Sequence, residues 1–146
     1  YDWVIGSEDV PLIRNGQFEL VEPMLINVIT YPAPNMWRLF DTLDWVGSIE
    51  ETAAAYAKDV FRRRTQQVVY EAAQADTEVL ILGAWGCGAY GGDPKVVAAA
   101  FEEALRLYAG EIAHVVFAIY GGPRDNYKAF NEVFTADRQS DHSPQP

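Results

Sequence analysis

The sequence is short of sulfur, histidine and positive charge, with one cysteine, two methionines and two histidines among 146 residues. A lone Cys87 forms no internal disulfide, so nothing in the cysteine pattern argues for an oxidising compartment. No His, Cys and Asp cluster has metal-ligand spacing, and neither a metal nor a redox cofactor is expected. Lys and Arg number 11 against 21 Asp and Glu, a formal charge of −10 that repels nucleic acid at long range. A nucleotide-sized anion would therefore have to be held by backbone amides and local geometry. Long apolar runs are missing too. None reaches the length of a membrane span and no charged-then-apolar signal segment opens the chain, so a cytoplasmic address without a membrane partner is the expectation. There is no initiator Met: the chain begins Tyr1-Asp2-Trp3-Val4-Ile5, already in the manner of ordered protein, as expected of a segment from something longer.

What is present suffices for a core, since 49% of a single-domain length is apolar. The first twenty residues read as irregular, with short strands at 10–14 and 18–21 around the turn Asn15-Gly16, and Pro11 allows only an edge position. Residues 24–31 form a stronger strand, stopped by Pro32-Ala33-Pro34-Asn35. In the connection 36–46, Trp37, Phe40 and Trp45 read as cover for a core edge. Ser48 with Glu51 makes a capping box for one long helix over 53–75, apolar at Ala57, Val60, Phe61, Val68 and Ala72. Its run Arg62-Arg63-Arg64 points in three directions around the helix and reads as a solvated face, not a phosphate patch.

The centre of the chain is Val79-Leu80-Ile81-Leu82, followed by five glycines within residues 83–92. Asp93 then caps a helix that has Pro94 at its first position, Val97, Phe101, Ala104, Leu105 and Tyr108 on its apolar face, and an end near Gly110. Strand, glycine loop and helix start make an anion cradle. Glycines let successive N–H groups face one point, and the helix adds the positive end of its dipole. Glu102-Glu103, mid-helix, reads as solvent-facing and not catalytic. A last strand over 113–120 leaves through Gly121-Gly122-Pro123 into a short helix over 125–134. Residues 136–146 read as a disordered tail, leaving 1–135 as the folded unit.

Alternating strands and helices imply a mixed or parallel sheet with ligands at the carboxyl ends of its strands. Three loops leave such ends, at 32–35, 83–92 and 120–124, and they line one crevice if the strands are neighbours. The spacing Gly86-Cys87-Gly88-Ala89-Tyr90-Gly91 satisfies the dinucleotide pattern G-x-G-x-x-G, the basis of a third-ranked reading as an NAD-dependent oxidoreductase. The acidic cap before the helix and a next strand ending in Tyr120-Gly121-Gly122 argue against it, and a Walker loop is excluded for want of its Gly-Lys-Ser/Thr ending.

The run from Gly83 to Pro94 resembles the diphosphate loop of the poly(ADP-ribose) glycohydrolase branch of the macrodomains. Val28-Ile29-Thr30-Tyr31-Pro32-Ala33-Pro34-Asn35 resembles a second signature of the microbial-type members, and Phe117-Ala118-Ile119-Tyr120 with residues 126–130 resembles the end of that domain. The resemblance implies an α/β fold, a three-layer α/β/α macrodomain-like mixed sheet lacking its N-terminal strands. It implies ADP-ribose as ligand, with the backbone of Gly86, Cys87, Gly88, Ala89, Tyr90 and Gly91 around the diphosphate. Tyr90 stands where the family usually has Phe beside the ribose being cleaved. Tyr120 falls where related domains place a ring against adenine, or is a core-edge residue. Asn126 reaches the ligand or, the favoured reading, caps the final helix, and Asn35 is favoured as an Asx turn over a ligand contact. Cys87 has no credible base in His114 or His142, so packing is its expected role.

The family's catalytic loop ending in Gln-Glu-Glu has no counterpart between Tyr1 and Pro146, so no catalytic residue is assigned. The resemblance therefore implies hydrolysis of ADP-ribosyl O-glycosidic bonds by a complete protein, with this segment supplying the cradle but inactive alone. The alternative is a non-catalytic ADP-ribose reader. Either way the expected partner is ADP-ribose or poly(ADP-ribose) on modified proteins.

Overall fold

A computed structural model describes residues 3–39, 41, 50–120 and 125–140. The chain divides into two compact units, 1–32 and 33–146.

The first unit is an antiparallel hairpin of β1 (Ile5–Arg14) and β2 (Leu20–Thr30), in register from Ile5 opposite Thr30 to Arg14 opposite Leu20. Asn15 organises its turn. Its Oδ1 accepts from the N–H groups of Gln17 (2.9 Å) and Glu19 (3.1 Å), and its carbonyl accepts from Phe18 N (3.0 Å), which holds Phe18 at a φ of 64°. The irregular opening expected over residues 1–20 is thus a ten-residue strand, and the two later strand candidates are one. Register shifts hid both. Between Ser7 and Val10 the chain bulges, with Asp9 at a φ of 53° and its N–H bonded to Asn27 Oδ1, so the side-chain alternation breaks where a strand would otherwise be legible. Pro11 takes a place in a two-stranded ribbon, which has only edges.

The second unit holds α1 (Glu50–Gln74), β3 (Val79–Leu82), α2 (Pro94–Tyr108), β4 (His114–Phe117) and α3 (Asp125–Ser140). β3 and β4 pair in parallel, Val79 opposite His114 through Leu82 opposite Phe117, joined through α2. The α/β class is as expected, with parallel and antiparallel pairing both present, though the described strands stand in two two-stranded sheets. β4 is shorter than the strand expected over 113–120, although Ala118 still donates to Leu82 O (2.7 Å).

The core lies between α1, α2 and α3. Phe61 and Val69 of α1, Val97, Phe101 and Ala104 of α2, and Phe130 of α3 are buried, and Met36 joins them from the segment before α1. The apolar periodicity of both long helices is the reason, except that Tyr108 is exposed and meets Tyr70 edge to face. Phe117 brings β4 into the core, its ring 5.7 Å from Phe101 and 4.6 Å from Phe134. Asp93 caps α2 as expected, accepting from Lys95 N (2.8 Å), and Pro94 follows at the first helical position. Ser48, Phe40, Trp45, residues 121–124 and His142 lie outside the described residues.

The tail expected from residue 136 is helical through Ser140, because Ala136, Arg138 and Gln139 propagate a helix already nucleated by the packed turn around Phe130 and Phe134. Residues 141–146 lie outside the described part.

One buried polar group links the helices. Thr65 is fully buried, its hydroxyl shared between the carbonyls of Arg62 and Ala100, both at 3.1 Å. Thr65→Val keeps the shape and removes the hydroxyl, and is expected to cost about 1 kcal/mol, read as a lower urea midpoint with an unchanged m-value.

Candidate functional site

The glycine loop leaves β3 at Gly83 and folds on itself. Trp85 N donates to Gly83 O (2.8 Å), Cys87 N to Ala84 O (3.1 Å), Gly91 N to Gly88 O (3.0 Å) and Gly92 N to Gly86 O (2.8 Å). The last of these closes a seven-residue ring of backbone. Two glycines are required by backbone geometry, Gly86 at a φ of 80° and Gly91 at 69°. Gly92 is required by space, since a Cβ there would lie 2.8 Å from Gly86 O and 2.8 Å from Phe61 Cζ. Phe61 of α1 is thus the floor of the loop, and it also meets Trp85 edge to face at 6.0 Å.

Closure uses some N–H groups and leaves others. Among the described residues, the N–H groups of Gly86, Gly88, Ala89 and Tyr90 have no hydrogen-bond acceptor. Residues 88–90 are exposed, and a Cβ at Gly88 would meet nothing within 4 Å. Four open donors on one short loop can receive an anion. The helix end contributes less than its position implies. Asp93 occupies the α2 N-terminus with its own carboxylate, so the loop amides, and not the dipole, are the free donors.

Cys87 is not a nucleophile here. Burial pushes its thiol up to about 12, the Asp93 carboxylate adds to the shift, and its Sγ lies 3.7 Å from Trp85 O. His114 is exposed on β4.

The segment 33–39 lies against the loop: Met36 N donates to Tyr90 O (2.9 Å). Asn35 caps the helical turn 36–39, its Oδ1 accepting from Arg38 N (3.1 Å), which is the turn role expected of it. Tyr90 is exposed beside the open amides. Tyr120 is fully exposed past the end of β4, so it is no core-edge residue, and its loop continues into residues outside the described part. Asn126 sits inside the first turn of α3 and not at a cap position, which corrects the capping reading: the helix begins one residue before it. The structure therefore brings residues 86–91 together with the segment that carries Asn35, through Met36 N on Tyr90 O.

Two residues of this site were not assigned to it from sequence. Trp37, read there as core cover, is instead 61% exposed and lies against Gly91. Phe61 was legible as core, but nothing in a helical period says that its ring lies under a glycine loop. The charged runs are structural. Asp59 pairs with Arg62 and Arg63, both at 3.0 Å, which hold its carboxyl below the usual range, Glu102 lies 3.6 Å from Arg106, and Glu103 accepts from Gln66. Among the described residues no group of three His, Cys, Asp or Glu side chains is placed to hold a metal, and no helix is long and apolar enough to cross a membrane.

No protein-family model matches the chain, and no curated protein sequence does. Solved structures do. A poly(ADP-ribose) glycohydrolase from Deinococcus radiodurans in complex with ADP-ribose is 30% identical, with a TM-score of 0.77, over 91% of this chain and 52% of its own. The enzyme of the same name from Thermomonospora curvata, bound to the inhibitor ADP-HPD, is 32% identical with a TM-score of 0.71 over 88% of this chain and 48% of its own. A variant of that enzyme gives 32% and 0.72. The chain spans about half the length of these relatives. Over that span, in fold and in sequence, the chain is of the microbial poly(ADP-ribose) glycohydrolase type of macrodomain.

Proposed function

We propose that this chain binds ADP-ribose through the open amides of residues 86–90, and that the complete protein hydrolyses ADP-ribosyl O-glycosidic bonds, as in poly(ADP-ribose) on modified proteins. The observation that carries the reading is the set of four N–H groups at Gly86, Gly88, Ala89 and Tyr90 without an acceptor, in a loop closed from behind by Gly92 N–H to Gly86 O. A diphosphate supplies oxygens in the number and charge that such donors want. The similar Deinococcus structure contains ADP-ribose, which supports the choice of ligand.

Glycosidic cleavage needs an acid to protonate the departing oxygen and stabilisation of an oxocarbenium-like centre. Asp93, the carboxylate that follows the loop, is committed to capping α2. Residues 1–146 contain no Gln-Glu-Glu. Binding is therefore the proposed role of this chain by itself, and a non-catalytic ADP-ribose reader is the second reading that the same observation favours. An NAD-dependent oxidoreductase is disfavoured because α2 starts at Pro94, behind an acidic cap, and not at the third glycine.

Titration calorimetry with ADP-ribose tests the seat. Gly88→Val places a branched side chain in open space on the ligand side, so stability is expected to hold while affinity falls roughly tenfold or more. Unchanged affinity would remove the loop from the site. Incubated with poly(ADP-ribose), the chain is expected to bind polymer without releasing ADP-ribose, and release would place the acid within these residues. A thiol with its titration at about 12 is also expected to resist iodoacetamide at pH 8 until the protein unfolds. Raised above its ordinary 9.0, it contributes stability that is intact below pH 9 and declines as pH climbs toward 12.

A further inference from the structure

We infer that Trp37 forms one wall of the ligand seat and takes the sugar ring attached beyond the diphosphate, which deepens the amide-seat reading and rests on it. The residue is held in place while its side chain is left bare. Before it, Met36 is buried in the core and donates its N–H to Tyr90 O (2.9 Å), and after it Arg38 N is bonded to the Asn35 cap (3.1 Å). Yet the Trp37 side chain between these anchors is 61% exposed, and among the described residues it pairs with no other ring.

The indole lies where the open amides end. A Cβ at Gly91 would stand 2.6 Å from Trp37 Cε2 and 2.8 Å from Nε1, so the absence of a side chain at Gly91 is what admits the ring edge. Tyr90, also exposed, adjoins it in the loop. A ligand whose phosphates lie along residues 86–90 meets this ring as it leaves them. The division of labour follows from chemistry. Charge goes to N–H donors, and an uncharged ring with an apolar face and an N–H edge suits a sugar, which offers C–H faces and hydroxyls together. A rigid indole orders at little entropic cost.

Calorimetry with ADP-ribose, ADP and inorganic pyrophosphate on the 146-residue chain, as wild type, Trp37→Ala and Trp37→Phe, separates the possibilities. Trp37→Ala is expected to weaken ADP-ribose about tenfold, the scale of one ring contact, while ADP and pyrophosphate bind as before, and Trp37→Phe is expected to recover most of the loss. Thermal unfolding of each variant should match the wild type. Three results would overturn the inference: no change with ADP-ribose, an equal loss with ADP, which would assign the ring to the base, or an equal loss with all three, which would make Trp37 a support of the loop. In each of those the wild type still binds and the amide seat stands. A wild type that binds none of the three ligands sinks the amide seat, and the wall with it.

Discussion

The Phe61 ring leaves no room for a side chain at Gly92 and almost none at Gly86, and the geometry of the whole glycine segment follows from that exclusion. With both residues reduced to backbone, Gly92 N can reach Gly86 O, and the residues between them are thrown outward as a closed ring. The ring is anchored from below by a fully buried helix residue and from the side by Met36 N on Tyr90 O. An otherwise flexible stretch of glycines is thereby set into one conformation. The entropy that ordering glycine costs is met by core packing of α1 against α2.

What such a loop presents is a set of partial charges fixed by peptide planes. In a protein with a formal charge of −10, such amides suit the phosphate-bearing ligand proposed above. The same economy explains Asp93. Its carboxylate satisfies the α2 N-terminus, which fixes where the loop ends, and it also helps keep the Cys87 thiol protonated. Reactive sulfur is thus kept out of the loop by burial and by charge.

The parts of this architecture that reached the surface of the sequence were those governed by local rules. The α2 cap at Asp93-Pro94, the apolar faces of the two long helices, the strand Val79–Leu82 and the turn role of Asn35 each depend on a few adjacent residues, and each is found in the structure, although of that strand only Leu80 is buried while Val79 and Ile81 are exposed. The hairpin was legible only in pieces, because its bulge at Asp9 shifts the side-chain alternation by a residue. Asn126 was read as a cap but lies inside α3, a difference that decides between cap and interior but leaves almost no trace in composition.

By itself the sequence determined that a glycine loop lies between a strand and a capped helix, and that its pattern is of the macrodomain glycohydrolase kind, because spacing and residue type are local properties of the chain. Only the tertiary structure decided which amides stay open, and that Trp37 is bare and lies on Gly91. Those outcomes depend on contacts between residues some fifty positions apart, Trp37 with Gly91 and Met36 with Tyr90, which no period or motif along the chain encodes.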